Sequence, residues 1–242
     1  MMRKLLFLSA VAGLLLGFGL AARADDSKLN TLTDKEKSTG WKLLFDGKTT
    51  DGWRAFKGKS VPDKWKVMDG TLTLKAKEKG HGGDIVTADQ YDNFDFTFEW
   101  RVTPHANSGI MYRVSEEHGA PFITGPEYQI LDNNGHPDGK HKETCAASCY
   151  AVYAPTKDMT KPVGEWNIGR ILVNGNHVEH WLNGEKVVEY EFGSADWNHR
   201  IANSKFKEWS GFGKEKKGYI DLQDHGDEVA YRNLKIKVLK EE

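Results

Sequence analysis

Alternation of apolar and polar residues is the dominant pattern in this chain, and it predicts β-strands. The clearest run extends from Phe94 to Val102, where apolar residues occupy every second position. A period of two is typical of a strand that buries one of its faces. Asp-Gly and Asn-Gly dipeptides, which favour hairpin turns, separate pairs of strand-like runs at residues 69–70, 174–175 and 183–184. The pattern therefore predicts antiparallel hairpins.

Helical periodicity is weak by comparison. It is convincing only from Ser194 to Phe206, while residues 33–36 fit a capping box for one short turn of helix. No repeat or linker divides residues 40–239, and many short strands joined by turns are typical of two packed antiparallel sheets. We expect a single all-β sandwich domain over residues 40–242, with one or two short helices in its connections. A polar segment at residues 25–39 precedes it.

The first 24 residues have the features of a secretory signal peptide. Two basic residues precede an apolar stretch at residues 5–20, and the small residues Ala22 and Ala24 stand where a signal peptidase reads the chain. An uncleaved membrane anchor is the alternative, because the stretch approaches spanning length. We expect cleavage, export to a periplasm or the medium, and no membrane association of the mature protein.

Charge and cysteine content narrow the functional class. The 242 residues carry a formal net charge of -1 and contain no basic run, so we do not expect a nucleic-acid partner. After export, Cys145 and Cys149 have the opportunity to form a disulfide, and free thiols are the equal alternative.

The sequence contains no nucleophile elbow, phosphate-binding loop or zinc-protease motif. It also lacks the strand with paired carboxylates that retaining sandwich glycosidases use. The oligomeric state is not indicated.

Polar side chains on the outward faces of three predicted strands form the candidate site. Each strand has apolar residues at alternate positions, and these are expected to face the core. If the strands share one sheet, their outward groups converge, whereas ordinary solvated faces are the alternative. Planar hydrogen-bonding groups near aromatic rings suit the hydroxyl groups of sugars. The outward residues are Arg113, Glu127, Gln129, Asp221, Gln223 and His225, and the aromatic candidates are Trp53, Tyr153 and Trp166.

The segment from Asp132 to Gly139 is a second candidate feature. Its oxygen-bearing side chains stand at intervals compatible with a bound divalent cation, but it lacks the closing glutamate of an EF-hand loop. Such Asn- and Gly-rich stretches are more often simple turns. Asp132 and His136 are retained as candidate site residues because they directly follow the strand that begins at Glu127. No motif requires a cofactor.

Several motifs occur together in one order along the chain. They begin with GWKLLFDG at residue 40, continue with NSGIMYR at residue 107 and EYQILD at residue 127, and end with GYIDLQDHG at residue 218. In this order they resemble the 3-keto-disaccharide (3-keto-glycoside) hydrolase family over residues 40 to 240. The resemblance implies a jelly-roll sandwich of the concanavalin A-like or laminin G-like type. It also implies a 3-keto-sugar or related carbohydrate as ligand.

The resemblance suggests a mechanism that needs no paired carboxylates. A ketone at C3 acidifies the C2 proton, so a base can remove it and the glycosidic oxygen can leave from C1 before water adds. We expect His225 or Glu127 to act as the base. We expect Arg113 and Gln129 to bind the developing C3 oxyanion, and Gln223 to orient sugar hydroxyls. Asp132 and His136 are expected to assist protonation or to hold a cation. Tyr153 and Trp166 are expected to stack against the sugar ring.

A non-catalytic, lectin-like carbohydrate-binding module is the main alternative, since the same sandwich serves that purpose in many proteins. A sandwich that mediates adhesion or protein interaction is a third reading. His180 shares a predicted face with Val178 and Leu182, so we expect it in the core.

Overall fold

The computed structural model describes residues 29–80 and 82–240. The predicted signal peptide lies outside these residues. Within the described part, no helix is long and apolar enough to cross a membrane.

Two antiparallel sheets account for nearly all of the regular structure. The large sheet has the strand order β11-β10-β9-β6-β13-β4-β3, with β1 also paired to β13, and the small sheet has the order β2-β5-β12-β7-β8. The strands are β1 (Trp41–Leu43), β2 (Trp53–Ala55), β3 (Trp65–Met68), β4 (Thr71–Leu74), β5 (Ile85–Thr87), β6 (Phe94–Val102), β7 (Asn107–Val114), β8 (Glu127–Leu131), β9 (Asn167–Asn174), β10 (His177–Leu182), β11 (Glu185–Glu191), β12 (Tyr219–Leu222) and β13 (Val229–Val238). The prediction of a two-sheet antiparallel sandwich is confirmed.

The core lies between the two sheets and is rich in aromatic side chains. Alternate residues of β6 are at most 5% exposed, and they face alternate residues of β7 and β8. The Phe98 and Tyr128 rings meet edge to face at 5.2 Å between centroids. Burying each such side chain contributes about 2–3 kcal/mol. His180 is fully buried here, and its Nε2 is 2.8 Å from the hydroxyl of Tyr112. Desolvation lowers the pKa of His180 to about 4, which keeps the ring neutral.

The hairpins have the predicted partners, but the predicted helix is shorter than expected. The β3–β4, β9–β10 and β10–β11 pairs are all antiparallel. Helix α1 (Asp34–Ser38) begins with the capping box, and α2 (Ala195–Ala202) begins after Ser194, whose side chain accepts from the N–H of Trp197. The prediction of a helix as far as Phe206 is wrong. Asn203 caps α2, and a separate 3-10 turn begins at Lys205.

Candidate active site

The outward face of the small sheet brings two acidic side chains close together. Glu127 on β8 pairs in register with Met111 on β7, and Met111 pairs with Asp221 on β12. Two strand spacings place the Cα atoms of Glu127 and Asp221 roughly 10 Å apart on one face. Their neighbours in sequence, Tyr128 and Ile220, face the core and are fully buried. Strand alternation therefore predicted correctly that both carboxyl groups point outward.

Gly109 allows the Glu127 side chain to lean toward the middle of the sheet. A Cβ atom at residue 109 would overlap with Oε1, Cδ and Cγ of Glu127. No real Cβ comes so close to another heavy atom, so only glycine leaves room for this conformation of Glu127. The glycine of the NSG motif thus has a direct role in placing the carboxyl group.

Glu127 lies in a pocket of about 230 Å³. Its polar lining comes from three strands or their ends and from the 3-10 turn at residues 205–208. Its apolar lining comes from that turn, from the 3-10 turn at residues 121–123 and from loops. The lining residues are Asn107, Phe122, Glu127, Tyr150, Lys205, Phe206, Trp209, Gln223 and His225. A concave site with an aromatic wall and a few polar groups is typical of a small-ligand pocket.

Burial is the main cause of the unusual acidity of Glu127. Together with the nearby charges of Asp84 and Asp138, and against the opposing charge of Lys205, burial raises the pKa of this carboxyl to about 8. The Glu127 carboxyl group makes no hydrogen bond to any residue that the structure describes. It is therefore free to contact a ligand and titrates near neutral pH, as a catalytic acid or base requires.

Two further carboxyl groups belong to the same electrostatic environment. Asp221 is fully buried and neither of its oxygens has a hydrogen-bond partner among the described residues. Desolvation, with the charges of Asp84 and Glu127, raises the pKa of Asp221 well above its usual value. Burial also raises the pKa of Asp84 to about 6, although its Oδ1 accepts a 2.7 Å hydrogen bond from the N–H of Asp224. Mutual repulsion among these three acids favours their protonated forms.

Two amide groups of the pocket have acceptors without partners. Within the described chain, Oδ1 of Asn107 and Oε1 of Gln223 are buried and accept no hydrogen bond. Leaving such atoms unpaired costs about 1–3 kcal/mol each, so groups of this kind in a pocket point to a ligand or water that satisfies them. Sugar hydroxyl groups are suitable donors for both atoms.

His225 lies at the rim of this pocket and is exposed. Its ring meets the ring of His136 edge to face, with centroids 6.3 Å apart. Nδ1 of His136 accepts a 3.2 Å hydrogen bond from the N–H of Asp138, which orients the His136 ring. The structure thus places both predicted histidines together, although only His225 lines the pocket.

Lys205 and the aromatic wall are site features that alternation did not reveal. Lys205 Nζ lies 4.2 Å from the centroid of the Tyr150 ring and supplies positive charge close to Glu127. Phe122 and Trp209 pack with centroids 5.3 Å apart, and Phe122 is 43% exposed. These residues come from two 3-10 turns and from loops, where no period of two exists to reveal their direction. The exposed Phe122–Trp209 pair offers an apolar surface to a ligand.

Arg113 does not join Glu127, so its predicted place at a C3 oxyanion is wrong. A register shift leaves two residues of β7, Tyr112 and Arg113, opposite the single residue Ile220 of β12. Arg113 has a φ of 55°, which is characteristic of a β-bulge that redirects a side chain. Its Nη2 donates a 2.7 Å hydrogen bond to the carbonyl of Gly175, in the β9–β10 turn.

Gln129 and Asp132 hold loops rather than lining the pocket. Gln129 is 1% exposed, and its amide donates to the carbonyl of Thr144. Asp132 accepts hydrogen bonds from the N–H groups of His105, Asn134 and Gly135. These bonds occupy its carboxylate and make the segment after β8 a turn. Both residues were predicted to contact the ligand, and the structure places both outside the pocket lining.

The remaining aromatic and sulfur candidates also lie elsewhere. The hydroxyl of Tyr153 donates to Asp196, and its ring stacks on Tyr190 at 4.9 Å. Trp166 contacts the guanidinium of Arg232 beside the large sheet, so the stacking roles predicted for Tyr153 and Trp166 are not available in this pocket. Trp53, Cys145 and Cys149 also lie outside the pocket lining: Trp53 is buried, and the two cysteines are free thiols.

Comparison with known proteins now identifies the family. Residues 40–237 match the model of the 3-keto-alpha-glucoside-1,2-lyase-like domain. The chain belongs to this family. A 3-keto-disaccharide hydrolase of Bacteroides thetaiotaomicron is 34% identical over 241 residues, covering 88% of this chain and 83% of the relative. The resemblance inferred from the sequence motifs is confirmed.

Solved structures of Parabacteroides distasonis proteins assigned as glycosyl hydrolases are also similar. One is 38% identical with a TM-score of 0.81 and covers 88% of this chain and 100% of its own. Another is 27% identical with a TM-score of 0.67 and covers 82% of this chain and 99% of its own. Both structures resemble this chain over most of its length.

Proposed function

We propose that this protein cleaves 3-keto-glycosides, including 3-keto-disaccharides, by elimination followed by hydration. The observation that carries the proposal is Glu127, a carboxyl group with a pKa near neutrality that faces a pocket lined by unpaired sugar-compatible acceptors. Family membership and the named relative support the substrate class. The description of the family as lyase-like agrees with an elimination step.

In the first step, the ionised Glu127 carboxylate removes the proton from C2 of the sugar. The electron pair of the C2–H bond moves toward the C3 ketone as an enolate, and then forms the C1–C2 double bond as the C1–O bond breaks. The aglycone leaves as an alcohol after it takes up a proton. A positioned base of this kind contributes about 10²–10⁴-fold to the rate.

In the second step, water adds to the unsaturated sugar. Its hydroxide adds to C1, and its remaining proton passes to His225, which protonates the leaving oxygen in the first step. The proton on Glu127 exchanges with solvent as the aglycone leaves and water enters, and the Glu127 carboxyl group then delivers a solvent-derived proton to C2. The sum of the two steps consumes one water molecule and breaks one glycosidic bond. One carboxyl group is enough to remove and return the C2 proton, so the reaction does not need the strand with paired carboxylates that retaining sandwich glycosidases use.

The other pocket residues have complementary roles in this proposal. Lys205 stabilises the negative charge that develops on the C3 oxygen. The motifs had led us to predict this role for Arg113 and Gln129. His225, at the pocket rim, protonates the leaving oxygen. Gln223 and Asn107 accept hydrogen bonds from sugar hydroxyls. The Phe122–Trp209 surface contacts the aglycone.

A carbohydrate-binding module without activity would need the aromatic surface and the amides but no titrating carboxyl group. The raised pKa of Glu127 therefore favours catalysis over binding alone. We also propose that the protein is exported, because of the signal-like N-terminus.

The proposal is tested by turnover of 3-keto-trehalose and 3-keto-lactose, with the unoxidised disaccharides as controls. We expect release of free sugar from the 3-keto substrates only. Because the base must be ionised, kcat/KM is expected to rise with pH toward an apparent pKa near 8. Binding of the unoxidised disaccharides without turnover of either 3-keto substrate would favour the binding module.

A further inference from the structure

Arg113 lines a second cleft, apart from the pocket that contains Glu127. The cleft has a volume of about 560 Å³, and Arg113 also borders an adjoining space of about 400 Å³ near the β9–β10 turn. None of the residues that line either space lines the Glu127 pocket. The cleft is therefore a separate place where a ligand can bind.

The Arg113 guanidinium is buried but only partly neutralised. Its side chain is 4% exposed, and its only carboxylate within 4 Å in the described chain is Asp92, at 3.5 Å from Nη2. The Nε atom is buried and has no hydrogen-bond partner among the described residues. A buried charge without full pairing is costly, and a bound anion would offset that cost.

The backbone at Arg113 is held in an uncommon conformation that aims the side chain at this cleft. A φ of 55° is uncommon for a non-glycine residue and persists only where the surrounding structure holds the backbone in place. The Phe192 ring lies against the guanidinium, with 5.0 Å from Cζ to the ring centroid. This contact and the hydrogen bond to Gly175 fix the orientation of Arg113, so its remaining donors are preorganised.

The surroundings of Arg113 combine positive charge with polar side chains. Lys207, Lys214 and Lys216 line the cleft, and Glu215 is the single acidic residue of its lining. The aromatic rings of the lining are at most 6% exposed because they stack on one another, so the ligand contacts are polar. Guanidinium groups recognise carboxylates through paired hydrogen bonds, and the amide groups of Asn176 and Asn198 suit sugar hydroxyls.

We propose that this cleft binds a small sugar acid, with its carboxylate at Arg113 and its hydroxyl groups at the polar side chains of the lining. The lysines at the cleft contribute long-range attraction for the anion. Binding at this cleft does not depend on the reaction proposed at Glu127, so the two proposals can fail separately.

The experiment is calorimetric titration of the protein with D-glucuronate, D-glucose and sulfate at low salt. We expect glucuronate to bind at least 10-fold more tightly than either glucose or sulfate. Arg113→Lys should weaken glucuronate binding by at least 10-fold, because a lysine cannot form the paired hydrogen bonds. Lys216→Ala should weaken it several-fold, whereas Lys66→Ala, a change at an exposed lysine of β3, should leave it unchanged.

Two further measurements keep the outcome decisive. Glu127→Gln should leave glucuronate binding unchanged, and a large loss in that variant would place the ligand in the other pocket and overturn the proposal. If Arg113→Lys fails to fold, Lys216→Ala against Lys66→Ala decides the question. No binding of glucuronate, equal binding of sulfate, or equal affinity in the Lys216 and Lys66 variants would each overturn the proposal.

Discussion

Replacing Glu127 by glutamine is expected to remove activity and to stabilise the fold. Glutamine keeps the size of the side chain and removes its charge, and Glu127 has no hydrogen bond to a described residue to lose. If Glu127 is the base, kcat on a 3-keto-glycoside should fall by about 10²-fold or more. The same substitution should relieve the cost of burying an ionisable group beside Asp84 and Asp221.

The size of the stabilisation follows from the pKa of Glu127. The pKa of Glu127 is about 8 in the folded protein and about 4.5 when solvated. At a pH between these two pKa values, Glu127 has lost its proton in the unfolded chain but retains it in the folded protein. Each pH unit in that window therefore costs the folded state about 1.4 kcal/mol. Glu127→Gln should be neutral at pH 4 and should raise the free energy of unfolding by up to about 3 kcal/mol at pH 7.

The assay is urea unfolding of wild type and Glu127→Gln at several pH values between 4 and 8. The matched control is Glu116→Gln, because the pKa of Glu116 is lowered by hydrogen bonds from Arg54. Because the pKa of Glu116 is lowered, its ionised form stabilises the folded protein, and the substitution has the opposite effect on the free energy of unfolding. Glu116→Gln should reduce stability at pH 7 by about 1 kcal/mol and lose this effect as the pH falls below the usual glutamate pKa. Activity should be unaffected in this control.

The reasoning would be refuted by a Glu127→Gln effect on stability that does not change between pH 4 and pH 8. That result would show that Glu127 titrates normally and is not the group described here. A normal kcat in Glu127→Gln would separately refute its role as the base.

The remaining predictions concern neighbours of Glu127. Gly109→Ala should lower kcat by at least 10²-fold, because the new methyl group displaces the Glu127 carboxyl group; normal kcat would show that this placement is unimportant. Lys205→Met should move the pH–rate profile to higher pH, since Lys205 lowers the pKa of Glu127, and an unshifted profile would contradict this electrostatic link. Gln129→Ala should reduce the free energy of unfolding by about 1–3 kcal/mol with an unchanged pH–rate profile. A changed pH–rate profile in Gln129→Ala would show that Gln129 acts in the active site.

Strand periodicity was sufficient to predict the fold and part of the site. The alternation in β8 and β12 correctly gave Tyr128 and Ile220 to the core and Glu127 and Asp221 to the outer face. Gln223 continues the same alternation into the pocket beyond the end of β12. These predictions succeed because a regular strand fixes the direction of each side chain.

The wrong site predictions have local physical causes. Alternation fails at Arg113, because the bulge and the positive φ turn its side chain away. It gives the correct face for Gln129, but the loop that ends at Thr144 covers that side chain. Lys205 was assigned to a helix that ends three residues earlier, so its position beside Glu127 depends on a tertiary contact that no local pattern reveals.

The most direct test of the account is cleavage of 3-keto-trehalose in D₂O, with analysis of the released 3-keto-glucose by NMR. Elimination and hydration predict deuterium at C2, in excess of that found in 3-keto-glucose incubated alone, and no release by Glu127→Gln. Release of 3-keto-glucose without deuterium at C2 would contradict proton abstraction at that carbon.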